Sequence, residues 1–200
     1  MTNKLHISNG NSKMGQIPSV SLPPVITCRA GAPCIKDCYA CKLCRIYKNV
    51  KESYSENYEL YKTDPDSYFR QLDTALKMTC YFRLHVSGDF PNSDYFKRAV
   101  ETVRKNKHCT VLAFTKQFEI VNEYIAAGHR IPKNFKIIFS TWDGWAPVNP
   151  YNMPESAVIF KHTEVPETWK ICGGNCSECA CRGVGCWELK RGETIAFYKH

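Results

Sequence analysis

Ten of the twelve cysteines of this 200-residue chain fall in two short stretches, one towards each end. The first, TCRAGAPCIKDCYACKLC, spaces them as Cys28-x5-Cys34-x3-Cys38-x2-Cys41-x2-Cys44. The second, ICGGNCSECACRGVGC, holds Cys172, Cys176, Cys179, Cys181 and Cys186. A chain that used cysteine only as a small core residue would scatter them, so thiol chemistry constrains this fold more than any other feature. The two remaining cysteines, Cys80 and Cys109, each open an apolar run and are expected in the core as small hydrophobes.

Whether those thiols pair or bind metal depends on the compartment. The N-terminal stretch MTNKLHISNGNSKMG lacks an apolar signal core. No later segment approaches the roughly 20 apolar residues that span a bilayer. The expectation is a cytoplasmic protein with no membrane partner, where thiols stay reduced and clustered cysteines serve as metal ligands or catalytic groups rather than disulfides. The formal charge is +8 with thiols counted as neutral. Two four-iron clusters, each about −2 with its thiolates, would lower that to about +4. A basic excess of this size does not single out nucleic acid, because a solvated lysine-rich surface gives the same count.

The chain between the cysteine stretches alternates strands and helices. SVSLPPVIT, residues 19–27, reads as a first strand, an edge or bulged one because of Pro23 and Pro24. Ile46, Val50, Tyr54, Tyr58 and Tyr61 recur at helical spacing and predict a helix over 36–62. Its first turns would carry Cys38, Cys41 and Cys44, where backbone N–H groups favour thiolates. Asp64-Pro65 is a cap followed by an N1 proline and opens a second helix with Tyr68, Phe69, Leu72, Ala75 and Leu76 inward. There follow a strand over 81–86, a helix over 92–106, a strand over 110–115, a helix closed by Gly128 and a strand over 135–141. WDGWAPVNPYNMPES then reads as a long loop, AVIFKH over 157–162 as a fifth strand, and ETIAFYKH as a terminal one.

This pattern predicts an α/β fold with a mostly parallel sheet, curled as an incomplete (β/α) barrel or left open, in one domain spanning 1–200. Residues 28–44 would form an N-terminal cysteine loop and 172–186 a C-terminal cysteine segment. In such folds the working residues collect past the C-terminal ends of strands. The rule picks out Cys28, then His85 to Asp89, Lys116, Trp142 with Asp143, and His162. His85 reads equally as a core histidine, and the two tryptophans Trp142 and Trp145 as plugs.

Zinc takes four thiolates tetrahedrally, usually from two Cys-x2-Cys knuckles, whereas iron–sulfur clusters accept less regular spacings. The x3 spacings and surplus cysteines favour iron–sulfur here, with zinc as the alternative. The N-terminal centre would be held by Cys34 and Cys38 with Cys28 or Cys41, leaving one iron open unless Cys44 closes the site. The C-terminal set reads as Cys172-x3-Cys176-x2-Cys179-x6-Cys186, with Cys181 spare. Gly173, Gly174, Gly183 and Gly185 would let backbone amides approach its sulfurs.

Cys34-x3-Cys38-x2-Cys41, placed after the first strand, resembles the three-cysteine motif of radical S-adenosylmethionine (SAM) enzymes. That resemblance implies a partial (β/α) barrel. It also implies a turn after the second strand that holds the methionine part of SAM, here Ser87-Gly88-Asp89; Lys116, picked out by the strand-end rule, joins them in the candidate cofactor-binding set. More of the chain resembles the phage-encoded gene product 88 family. ISNGNSKMGQIPSVSLPPVITC, the CYACK segment, RLHVSGDF, AFTK and the terminal GNCSEC…CW…YKH carry that likeness. It implies a phage protein acting in the cytoplasm of a bacterial host.

The expectation is therefore an iron–sulfur protein with one or two four-iron clusters at the strand-end mouth. SAM is a further cofactor candidate, and the activity would be redox or radical chemistry on an unknown substrate through unassigned catalytic residues. The alternative is a non-catalytic, metal-stabilised module binding nucleic acid or a host protein through Lys42, Arg45, Lys48, Lys51 and the tyrosines Tyr47, Tyr54, Tyr58 and Tyr61.

Overall fold

Apolar runs separated by amphipathic helical stretches build a sheet in which every neighbouring pair of strands is parallel. The computed structural model describes residues 4–160 and 164–199. Its strands are β1 (Ser19–Val20), β2 (Tyr81–Leu84), β3 (Thr110–Thr115), β4 (Phe135–Ser140), β5 (Glu155–Ile159), β6 (Lys170–Ile171) and β7 (Thr194–Tyr198). They lie in the order β1-β2-β3-β4-β5-β7-β6 and the sheet is open. Both edges, β1 and β6, are two residues long, which leaves little unpaired backbone for another chain to join.

The helices are α1 (Tyr39–Ile46), α2 (Lys48–Thr63), α3 (Pro65–Lys77), α4 (Ser93–Lys105), α5 (Phe118–Ala126) and α6 (Cys176–Arg182). The Asp64 carboxylate accepts from Ser67 N at 2.8 Å and Pro65 takes the first helical position, so α3 starts where the sequence predicts. Asn92 caps α4 in the same way through Tyr95 N. The long helix expected over 36–62 is instead a 3₁₀ turn over Pro33–Asp37 followed by α1 and α2. The chain breaks at Tyr47, whose backbone is extended.

Strand alternation divides the sheet into two faces with different covers. Phe82, Leu84, Val111, Ala113, Ile137 and Phe139 pack with Leu72, Leu76, Phe96, Val100 and Val121 of α3, α4 and α5 in one core. Burying each such large side chain stabilises the fold by about 1.5–3 kcal/mol. From the other face, Leu112, Ile138 and Ile195 pack with Met14, Ile17, Ala180, Cys186, Trp187 and Leu189. The C-terminal cysteine segment is thus a lid on the second face, not an appendage beside the sheet.

The terminal-strand prediction is correct in kind, but β7 inserts between β5 and β6. The two-residue β6 has no sequence signal of its own. β1 is far shorter than 19–27 because Pro23 and Pro24 take the chain into a turn, with Thr27 N donating to the Pro23 carbonyl. β5 begins at Glu155, and the end of the predicted 157–162 strand, with His162, lies outside the described residues.

Candidate metal centre at the strand ends and on the second sheet face

β2 ends abruptly at His85, a non-glycine residue with φ of 58°. The turn that follows is held from the N-terminal loop. Leu22 N donates to the Ser87 carbonyl, Ser87 N to Ser21 Oγ, and Asp89 N to Thr27 Oγ1. A Cβ on Gly88, whose φ is 77°, would lie 2.5 Å from Thr27 Oγ1 and 2.8 Å from the Leu22 carbonyl oxygen. Only glycine permits that approach. This close packing delivers the end of the loop, Cys28, to the end of β2.

Asp89 is 5% exposed. Its Oδ1 accepts from Thr115 Oγ1 and Phe90 N, and its Oδ2 from Lys116 N at 2.7 Å. Burial nevertheless raises its pKa to about 6. The carboxyl group is therefore a strap between the ends of β2 and β3, and most of its hydrogen-bonding capacity is already used. Lys116, which it positions, extends to Ser140 Oγ at 2.7 Å and lowers the pKa of the Cys34 thiol against the stronger effect of burial. Ser87 Oγ is buried without a partner.

Cys38 takes the N-cap position of α1, without a side-chain capping bond. Burial pushes the Cys28 thiol up to about 12, and Asp89, Cys34 and Cys38 add to the shift. Cys41 and Cys44 are also raised, first by burial and then by Cys38. Cys28 and Cys34 thus neighbour Cys38 on the loop side, and Cys41 and Cys44 follow it on α1. Tyr39 closes the arrangement by donating its hydroxyl to the Val86 carbonyl. Lys199 of the terminal strand region pairs with Asp37 at 2.7 Å.

The C-terminal set does not stand beyond the strand ends with the first. It lies across the second sheet face over Tyr81 and Arg83 of β2. Tyr81 donates to the Ala180 carbonyl and stacks edge-on with Trp187, their centroids 5.0 Å apart. The Trp187 indole N–H donates to the Cys176 carbonyl at 3.0 Å. Burial pushes Cys186 up to about 12, with Cys172, Cys176 and Cys179 adding to the shift. Gly174 N donates to Cys172 Sγ at 3.4 Å. A Cβ on Gly185 would lie 3.3 Å from Cys179 Sγ, so the backbone comes against the sulfurs as the glycine spacing implies. Cys181 is exposed and stands apart from this group.

Burial raises the Cys179 and Cys186 thiols, and with Cys172 and Cys176 beside them they are a donor set suited to a thiophilic metal, because ligation removes the protons whose loss burial opposes. Among the described residues, no three thiol, imidazole or carboxylate groups already stand in metal-holding geometry. The sulfurs suit a metal by their chemistry, not by their present spacing.

One predicted mouth residue turns away from the strand ends. His85 turns into the helix-side core, sharing a hydrogen bond with Tyr95 OH at 3.0 Å, and its Nδ1 is buried without a partner. Burial lowers its pKa to about 3. Trp142 packs on Phe160, while Trp145 packs on Phe118 beneath Arg29. Cys109 is in the core as expected, but Cys80 is exposed because it sits in the bend before β2 starts. Sequence reasoning missed Arg83, which alternation alone would have placed on the second face. It also missed the turn over Asn11–Gly15, whose Lys13 and Met14 carbonyls accept from Cys176 N and Ser177 N. The two blocks ISNGNSKMG and GNCSEC therefore touch each other.

These features define an open, parallel α/β protein in which two cysteine sets, one at the strand ends and one on the sheet face, form the candidate centre. A family model described as Gene product 88 matches residues 2–188, and the chain belongs to that family. A relative, the Gene 88 protein of Mycobacterium phage L5, is 29% identical over 131 residues, covering 58% of this chain and 55% of its own length. The chain thus spans about half of the curated relative it matches. No solved structure matches it.

Proposed function

We propose that this protein holds iron–sulfur clusters and carries out redox or radical chemistry at the C-terminal ends of its strands. One cluster would be held by Cys172, Cys176, Cys179 and Cys186. A second would be held by Cys34 and Cys38 with Cys28 or Cys41. The observation that carries the reading is that Cys176 and Cys179 of α6 neighbour Cys172 before the helix and Cys186 after it, against a sealed Trp187 and glycine backbone. Such a cluster supplies one-electron transfer. The chain's own part is to exclude water with Trp187 and Tyr81, to donate backbone N–H groups to sulfur, and to hold Lys116 beside Cys34. Iron and acid-labile sulfide are expected in protein purified without oxygen, and stoichiometric zinc without sulfide would overturn the assignment.

The finer part of the proposal is a radical-SAM-like centre in a partial barrel. The order of β1 to β5 and the position of the first cysteines support it. Ser87, Gly88, Asp89 and Lys116 would contribute to cofactor binding, chiefly through the unpartnered Ser87 hydroxyl and the lysine, since the Asp89 oxygens already serve the strand ends. Adding SAM to the reduced protein should change its electron paramagnetic resonance spectrum. A spectrum indifferent to SAM leaves a plain electron carrier.

A second reading, a non-catalytic module for nucleic acid or a host protein, draws on the α1–α2 arm. Residues 36–51 hold five basic side chains and one acidic one, and that one, Asp37, is paired with Lys199. Lys42, Arg45, Tyr47, Lys48 and Lys51 are all exposed, while Tyr54 and Tyr58 are half-buried and Tyr61 is buried. Affinity for DNA or RNA that falls steeply with salt would favour it.

A further inference from the structure

Among the described residues, a guanidinium on the second sheet face has no carboxylate to answer it. Arg83 projects from β2 into the space under α6, with its Cζ 5.0 Å from the Phe114 ring centroid. Its Nη1 donates to Cys176 Sγ at 3.8 Å, and its Nε is buried with no partner. Among the described residues no aspartate or glutamate forms an ion pair with it. The other partly buried arginines do find acceptors: Arg98 pairs with Asp66 at 2.6 Å, and Arg29 pairs with Glu119.

An arginine stays protonated in any such site, and a partly buried cation without a counter-charge carries part of the cost of burying a charge. The stacking on Phe114 offsets part of that cost. The remaining candidates for its anion are sulfurs, since Cys176 faces it directly and Cys186 also feels its charge. Four neutral thiols would leave the guanidinium uncompensated. Four thiolates on a divalent metal or a four-iron cluster carry about two negative charges, which the guanidinium would partly neutralise.

We propose that Arg83 is the counter-charge of the C-terminal cysteine centre, a positioning residue that donates to its sulfurs and makes the bound state electrostatically tolerable inside the fold. The inference rests on the metal–thiolate reading above, but not on which metal is bound.

The test compares wild type, Arg83→Met and Arg83→Lys as full-length proteins prepared without oxygen, each in its as-isolated and chelator-stripped forms. Thermal midpoints and metal retained against a graded chelator are measured on all six samples. Arg83→Met should melt lower than wild type when loaded and hold its metal about tenfold to a hundredfold less tightly. It should melt higher than wild type when stripped, because an unanswered, partly buried charge has been removed. Arg83→Lys should keep most of the loaded behaviour. An Arg83→Met variant that lowers the midpoint equally in both forms, with retention unchanged, would mark a packing role and overturn the inference alone. A wild type that retains no metal would overturn the metal–thiolate reading and this inference with it.

Discussion

At the residue scale the end of β2 concentrates the strain and the buried charge of the fold. Gly88 has φ of 77° and no room for a Cβ, so Gly88→Ala should push the 21–27 loop off the turn. A loss of about 1–3 kcal/mol is expected, read as a lower urea midpoint. An unchanged midpoint would mean the loop moves aside at no cost. His85 makes a pH prediction. Its folded pKa of about 3 lies below the ordinary 6.5, so the unfolded chain takes up a proton that the native imidazole refuses. Stability contributed by the neutral imidazole is therefore present above about pH 6.5 and lost progressively as the pH falls towards 3. Replacing it by leucine should flatten the stability curve between pH 7 and 4 relative to wild type. Curves that stay parallel would show that the native imidazole is protonated after all.

At the element scale, caps and breaks outweigh periodicity. The tyrosine spacing predicts one helix over 36–62, yet Tyr47 divides it into α1, which buries Ala40, and α2, which turns Asn57, Leu60 and Tyr61 inward. Local spacing carries no record of that change of direction. The start of α3 depends on chemistry confined to four residues and was legible. Asp64→Ala should cost about 1 kcal/mol, measured by denaturant unfolding, since Ser67 N would lose its acceptor. A loss below a few tenths would mean that Pro65 alone sets the start.

At the scale of the whole molecule, the two ends of the chain close the second face together. Met14 and Ile17 from one end and Trp187 and Leu189 from the other pack on Leu112, Ile138 and Ile195. The lid is short and glycine-rich, so a metal should contribute much of its order. Cys179→Ser should cost metal content and also uncover Trp187, which is 1% exposed. The emission that Trp187→Phe removes should shift to the red in the Cys179→Ser protein. Fluorescence and metal content that both stay at wild-type values would detach the lid from metal binding.

Apolar, β-branched runs, capping residues and prolines act over a few neighbours, so the sequence alone was enough for a parallel α/β sheet, the starts of α3 and α4, and two thiol-rich stretches. The placing of β7 between β5 and β6, the turning of His85 into the aromatic core, the clasp between Met14 and Ser177, and the meeting of Arg83 with Cys176 all join residues far apart in the chain. Those pairings follow from which surfaces remain uncovered after the sheet has formed, a quantity that no local window contains. Tertiary packing, acting through burial, therefore made the second cysteine segment a lid and left a guanidinium beneath it.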